Sequence, residues 1–184
     1  MCSTIRQLEE KDMSQVENIW LTRSIEVHNF VSSDTQYWKK VLPDFIEDTK
    51  KASVCVYEEN GTVKGFAAFQ NRGDHIYILE LFTYESGHGI GFQLLNEIKI
   101  IGKPNPLTLH VYAQNVLAVK WYLCQGFIVI MPHEDKKLRG EIKALKEEIK
   151  KLQELGQDDT KKKEELKDKK QRFKYLMICP NYQS

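Results

Sequence analysis

The stretch that decides the fold runs Ile76-Tyr77-Ile78-Leu79-Glu80-Leu81-Phe82-Thr83, then Tyr84-Glu85-Ser86, then Gly87-His88-Gly89-Ile90-Gly91. Its first eight residues have the β-branched and aromatic content of a strand, and the glycines that follow form a turn. Beyond the turn, Leu94, Leu95, Ile98 and Ile101 recur at helical spacing, which predicts one apolar helix face ended by Gly102, Lys103 and Pro104. A strand, a glycine turn and a helix in this order gather free backbone N–H groups and the positive end of a helix dipole in one place. Such a place can hold phosphate. The glycine spacing is not Gly-x-Gly-x-x-Gly, and the strand follows antiparallel strands instead of opening a parallel βαβ unit, so a dinucleotide-binding Rossmann unit is excluded.

Upstream, Ser3 to Leu8 alternates as a strand, and Asp12 to His28 carries Val16, Ile19, Trp20 and Val27 at helical spacing, with Asp12 as the expected cap. A second helix is expected from Ser33 to about Lys50, broken or kinked at Pro43. Ala52 to Tyr57 and Val63 to Phe69 flank Glu59-Asn60-Gly61, where Asn-Gly supplies the positive φ angles of a tight hairpin. A further turn at Asn71-Arg72-Gly73-Asp74 leads into the strand from Ile76. Downstream come a strand from Leu107 to Val111, a short helix from Asn115 to Gln125 closed by Gly126, and a strand of buried character from Phe127 to Met131. The order is β-α-α-β-β-β-α-β-α-β.

From Glu134 to Arg172 the composition changes to Lys and Glu, with no aromatic residue. Leu138, Ile142, Leu145, Ile149, Leu152 and Leu155 follow the four-and-three spacing of a coiled-coil seam, and Gly156 to Thr160 supplies a stop, a turn and a new cap. The second arm, Lys161 to Gln171, has only Leu166 as an apolar anchor, so the seam is expected to pack against a further surface, a second copy or a protein partner. Phe173 to Cys179 resumes strand alternation. The domains expected are 1–133 with 172–184, interrupted by a charged helical hairpin at 134–171.

A chain of 184 residues, 41% of them apolar, suffices for one core and an appendage. A formal charge of +1 gives no reason to expect nucleic acid or an anionic membrane. The basic runs at Lys161-Lys162-Lys163 and Lys167 to Lys170 are diluted by acids and have no aromatic residues to stack on bases. No apolar run is long enough to span a bilayer and the first residues lack a secretory pattern, so a cytoplasmic location is expected. Cys2, Cys55, Cys124 and Cys179 are scattered, as suits reduced thiols and no metal site, with Cys124 expected buried and inert.

After Leu109 to Val111, the chain places Asn115, Ala118, Tyr122, Gly126 and Phe127. Together with the Gly87-His88-Gly89-Ile90-Gly91 turn, this run resembles the two acetyl-CoA-binding segments of GNAT acetyltransferases. The likeness extends over the whole chain apart from the hairpin. A looser match from Ile19-Trp20 through His28-Asn29-Phe30 to Tyr37-Trp38 resembles small bacterial GNAT enzymes.

The resemblance implies an α/β (α+β) fold with a mixed, mostly antiparallel sheet of about seven strands flanked by about four helices, beside the hairpin. It implies acetyl-CoA as co-substrate and no metal, with acetyl transfer to a primary amine by direct attack. The backbone of Leu81, Phe82 and Thr83 would pair with the pantetheine arm, the amides of Gly87, His88, Gly89, Ile90 and Gly91 would hold the pyrophosphate, and Asn115 would contact the cofactor near its pantetheine. Tyr122 would be the general acid that protonates the departing thiolate, the plainer alternative being a core tyrosine packed on Phe127. Glu80, on the strand beside the thioester, is the first candidate for general base. Trp20, His28, Phe30 and Trp38 would wall a pocket for a small-molecule or peptide amine.

Two departures stand out. Ser86 occupies the position before the first glycine, where the family usually has Arg or Gln, and the turn after Thr83 is about two residues shorter than is common. Glu85 near a pyrophosphate would repel it, and His88 would partly compensate. The alternative reading is therefore a catalytically weak or inactive CoA-binding protein whose hairpin mediates protein interaction.

Overall fold

The computed structural model describes residues 3–130, 136–171 and 174–180. Its strands are β1 (Ser3–Gln7), β2 (Ser53–Glu59), β3 (Thr62–Asn71), β4 (Ile76–Thr83), β5 (Leu107–Tyr112), β6 (Ile128–Ile130) and β7 (Lys174–Cys179). Its α-helices are α1 (Met13–Val27), α2 (Thr35–Lys50), α3 (Ile90–Gly102), α4 (Val116–Cys124), α5 (Lys136–Glu154) and α6 (Thr160–Gln171). The strands form one seven-stranded sheet in the order β1-β2-β3-β4-β5-β7-β6, the mixed, mostly antiparallel arrangement expected. The chain divides into two compact units, one of Met1–Leu109 with Ile178–Ser184 and one of His110–Met177.

In the first unit, β2 and β3 meet at Asn60 (φ 50°) and Gly61 (φ 78°), both in the left-handed region that a two-residue hairpin turn requires. β3 pairs with β4 from Gly65↔Thr83 to Asn71↔Ile76, with an irregularity that leaves Leu79 without a register partner on β3. β4 and β5 run parallel over three pairs, Ile76↔Leu107 to Ile78↔Leu109. One core cluster gathers Val16, Ile19 and Trp20 of α1, Trp38 and Phe45 of α2, and Phe66 and Ala68 of β3. Trp20 stacks on Phe45 with ring centroids 4.6 Å apart and meets Trp38 edge-on at 6.0 Å, the geometries that the aromatic quadrupole favours. Helix α3 lies against β3 at Gly65, where a Cβ would come within 3.0 Å of both Ile90 Cγ2 and the Phe82 carbonyl oxygen. Only glycine permits that approach.

Several expectations need correction here. Asp12 precedes α1 but does not cap it. Its carboxylate, 1% exposed, accepts from Arg6 Nη1 (2.6 Å) and Nη2 (3.0 Å) and from the Glu9 backbone N–H (2.9 Å). The Arg6 hydrogen bonds hold the Asp12 carboxyl below its usual range. Helix α2 runs through Pro43 without a break: proline removes one backbone donor, while Trp38 and Phe45 on either side anchor the helix in the core. Asp34 caps α2 by accepting from the Gln36 N–H at 2.9 Å. On α3 the buried residues are Ile90, Leu94, Leu95, Ile98 and Gly102, and Ile101 is exposed, because the last turn rotates Gly102 onto Ile76.

The second unit holds α4, β6, the two hairpin helices and most of β7. Cys124 is exposed, not buried, as no residue of α4 is buried; among the described residues, Cys55 and Cys179 are the buried thiols. Burial pushes the Cys55 thiol up to about 11, which keeps it protonated and unreactive at neutral pH. The strand expected to be buried from Phe127 is shorter, with Phe127 buried before it and Ile128, Val129 and Ile130 all exposed. Met131 lies outside the described residues. An apolar strand is buried only where both of its faces are covered, and β6 is last in the sheet.

The hairpin forms as two helices, although Glu134, Arg172 and Phe173 lie outside the described residues, as do the side chains of Leu138 and Ile142. Helix α5 ends with Gly156 at φ 63°, where the Gln157 N–H donates to the Leu152 carbonyl (2.9 Å) and the Gly156 N–H to the Gln153 carbonyl (3.1 Å). This is the glycine stop anticipated from sequence. Asp158 then accepts from the Thr160 N–H at 3.0 Å. Across the arms, Lys169 Nζ lies 2.7 Å from Glu141, Lys162 Nζ 3.0 Å from Glu148, and Gln153 Nε2 2.8 Å from Asp159, which sets an antiparallel register. Leu145 and Ile149 of the seam are buried within the chain itself, while Leu155 at the tip is exposed.

Candidate functional site

The site begins where β4 outruns its parallel partner. Among the described residues, the ladder to β5 covers only Ile76 to Ile78, whereas Leu81, Phe82 and Thr83 are laddered to Ala67, Phe66 and Gly65 of β3. The other edge of Leu81 to Thr83 thus offers backbone groups to an extended ligand.

Residues 84–89 then turn across the surface, exposed throughout. Gly87 (φ 90°) and Gly89 (φ 74°) both sit in the left-handed region, and a Cβ built on either meets nothing within 4 Å. Space above the turn is open. Gly89 is the residue before α3 and provides no capping side chain; the first helical bond runs from the Gln93 N–H to the Gly89 carbonyl at 3.1 Å. The N–H groups of Ile90, Gly91 and Phe92 therefore have no acceptor within the helix. An uncapped, glycine-lined helix start fits a pyrophosphate. His88 Nε2 lies 3.4 Å from Glu85 Oε2, an ion pair when the imidazole is protonated, and this pairing offsets the carboxylate that would repel phosphate.

On β4, cross-strand partners share a sheet face, so Glu80 opposite Ala68 and Phe82 opposite Phe66 both face the α1–α2 core. The extra residue Leu79 packs on that core too, so the irregularity sets Leu79, Glu80 and Phe82 toward one side. Sequence alternation alone could not reveal this, because period two places Leu79 and Glu80 on opposite faces. The Phe82 ring meets His28 edge-on at 6.2 Å, and His28 also stacks on Trp38 (5.9 Å) and meets Phe30 (5.8 Å). Of the four residues expected to wall an acceptor pocket, Trp20 and Trp38 are buried in the core, and His28 and Phe30 are half-buried. Trp38 also donates its indole N–H to the Ser32 carbonyl at 2.8 Å.

In the second unit, Asn115 Oδ1 accepts from the Ala118 N–H at 3.1 Å and so caps α4. Tyr122 is half-buried, with its ring 5.2 Å from Phe127 and 4.9 Å from Trp121, the packing contact that the plainer reading anticipated. Gly126 (φ 87°) turns the chain so that the Phe127 N–H reaches the Tyr122 carbonyl at 3.0 Å. These contacts hold the tyrosine rigidly at the end of a short helix. Among the described residues, no group of three His, Cys, Asp or Glu is placed to hold a metal, and no helix is long and apolar enough to cross a membrane.

A family model described as Acetyltransferase (GNAT) family matches residues 13–127, more than half of the chain, and the chain belongs to that family. It is an acetyltransferase. In fold it is similar to the PaiA N-acetyltransferase of Thermoplasma acidophilum, solved with coenzyme A, at 14% identity and a TM-score of 0.70 over 99% of this chain and 100% of that one. It is also similar to apo YjaB of Escherichia coli (26% identity, TM-score 0.56, 71% and 86% of the two chains). A putative acetyltransferase of Salmonella typhimurium, yncA, solved with acetyl-CoA, gives 20% identity and a TM-score of 0.54 over 72% and 84%. No relative among curated proteins matches the sequence.

Proposed function

We propose that this enzyme transfers the acetyl group of acetyl-CoA to a primary amine by direct attack, releasing an amide and free CoA. The observation that carries the reading is the uncapped start of α3, behind an open glycine turn and next to a β4 edge with free backbone groups. When bound, acetyl-CoA supplies a thioester whose acyl carbon is open to attack by an uncharged amine.

The chain's own residues then have separate tasks. The backbone of Leu81 to Thr83 holds the pantetheine arm, the amides from Gly87 to Gly91 hold the pyrophosphate, and the Asn115 side chain touches the cofactor near its pantetheine. Glu80 takes a proton from the acceptor ammonium, directly or through water, and leaves the amine lone pair free to form the new C–N bond. Tyr122 gives its phenolic proton to the sulfur as the C–S bond breaks, and the second proton shed by the acylated nitrogen returns through water to the phenolate. His28 and Phe30 face the acceptor, whose class is a small-molecule or peptide amine with modest charge, and the protein works in the cytoplasm. The charged hairpin is proposed as a separate unit set into the catalytic domain.

Steady-state assay of Tyr122→Phe tests the mechanism. Removing the general acid should lower kcat about 100-fold while the affinity for acetyl-CoA stays within about twofold. An unchanged kcat would leave Tyr122 as a packing residue on Phe127. A wild-type protein that binds CoA but acetylates no amine would favour the non-catalytic reading, for which Ser86 and the short turn are the motive.

A further inference from the structure

We infer that the amine acceptor also carries a carboxylate, held by Arg72 and Thr108 at the start of β4; the inference rests on the acetyl transfer proposed above. The Arg72 guanidinium lies over the Tyr77 ring, with Cζ 4.0 Å from the centroid, and its N–H groups find no acceptor among the described residues. Asp74, the nearest acid in sequence, is engaged by His75, whose Nδ1 lies 2.6 Å from Asp74 Oδ1. Stacking on an aromatic face fixes the plane of a guanidinium and leaves the donors on its rim free, the geometry that grips a carboxylate with two parallel hydrogen bonds. A second orphan lies one strand away. Thr108 on β5 is 9% exposed, and its hydroxyl oxygen has no hydrogen-bond partner among the described residues. Buried polar groups are normally partnered, so such a hydroxyl calls for a ligand or water.

The register brings the two orphans together. Tyr77 pairs with Thr108 across β4 and β5 and with Gln70 of β3, and paired residues share a sheet face. Ile76 and Leu107, one position earlier on each strand, face α3, since a Cβ built on Gly102 would come within 2.7 Å of Ile76 Cγ1 and 3.4 Å of Leu107 Cδ2. Tyr77 and Thr108 therefore point away from α3, to the side where Leu79 packs and Glu80 faces. Glu80 follows Tyr77 by three residues, about 10 Å along a strand. A proton acceptor at one end and a fixed cation with a buried hydroxyl at the other fit a zwitterion. Its amine lies at Glu80, and its carboxylate bridges Arg72 and Thr108 directly or through one water. A dipeptide, extended over about 7 Å, has the length.

Turnover of acetyl-CoA with alanylglycine, leucylglycine and phenylalanylglycine, each beside its C-terminal amide, tests the inference. For the wild type, kcat/KM should favour the free carboxylates about 10- to 100-fold. Arg72→Gln, at an exposed position, should bring that ratio near one, and Arg72→Lys should restore part of it, since the charge returns without the planar fork. Thr108→Val, which keeps the shape of the side chain, should lower the ratio about threefold. Amides accepted as well as carboxylates, or a preference that survives Arg72→Gln or Thr108→Val unchanged, would overturn the subsite while acetyl transfer stands. If neither series is acetylated, the proposed function fails for these amines and binding decides the subsite. Calorimetric titration of the CoA-loaded protein with the three dipeptides should then show binding that Arg72→Gln removes, and its absence overturns the inference.

Discussion

Helices α3 and α4 both follow a strand and a short turn, yet they begin in opposite ways. At α4 the Asn115 side chain accepts from the Ala118 N–H, and the helix start satisfies itself. At α3 the corresponding residue is Gly89, without a side chain and at positive φ, and the first-turn N–H groups face open space. Helix α2 agrees with α4, being capped by Asp34. A folded chain rarely leaves a helix start without a cap when Asn, Asp or Ser would stabilise it by about 1 kcal/mol. The difference teaches where binding capacity is held in reserve: a self-satisfied terminus supports structure, and an open one accepts an anion.

The most severe way to break the comparison is to close α3. Gly89→Asp places a carboxylate at the helix start and should weaken acetyl-CoA binding about 100-fold or more, with a small fall in melting temperature because a φ of 74° strains any side chain there. The loss of kcat in Tyr122→Phe, about 100-fold, tests the far end of α4 in the same way. Opening α4 is milder. Asn115→Ala should cost about 1 kcal/mol in urea unfolding, whereas Asn115→Asp keeps the cap, removes the amide donor and adds a negative charge. If Asn115 also touches the cofactor, the Asp variant keeps its stability and loses about tenfold in affinity; an unchanged affinity would restrict Asn115 to capping.

Helix α1 supplies the smallest test, because its preceding carboxylate is committed to Arg6. Asp12 has a folded pKa below its unfolded value, so its contribution is complete above the ordinary carboxylate range and is lost as pH falls through the folded value. Urea midpoints of the wild type should fall on acidification below about pH 4, and those of Asp12→Asn should change less over the same range.

Much of the first unit was legible because local chemistry decided it. Asn60-Gly61 determines a hairpin wherever it is placed, and the glycine turn before α3 required an open helix start. Three of the mistaken expectations share one cause: hydrophobicity was taken for burial. Ile101, Cys124 and Ile128 to Ile130 are as apolar as their buried neighbours, but their exposure depends on which strand ends the sheet and how a last helical turn rotates. Trp20 and Trp38, expected in a pocket wall, are buried among the core side chains. Asp12 looked like a cap because nothing local reveals that Arg6 and Glu58, far apart in sequence, meet on paired strands. The irregularity at Leu79 that turns Glu80 toward the α1–α2 face has no sequence signature either.

The most direct test of the open helix start is calorimetric titration of the wild type and Gly89→Asp with CoA and with pantetheine, which lacks the pyrophosphate. The account predicts that the wild type binds CoA in the micromolar range and pantetheine at least about 100-fold more weakly, and that Gly89→Asp nearly abolishes this difference. Equal wild-type affinity for the two ligands, or a CoA affinity untouched by Gly89→Asp, would contradict it.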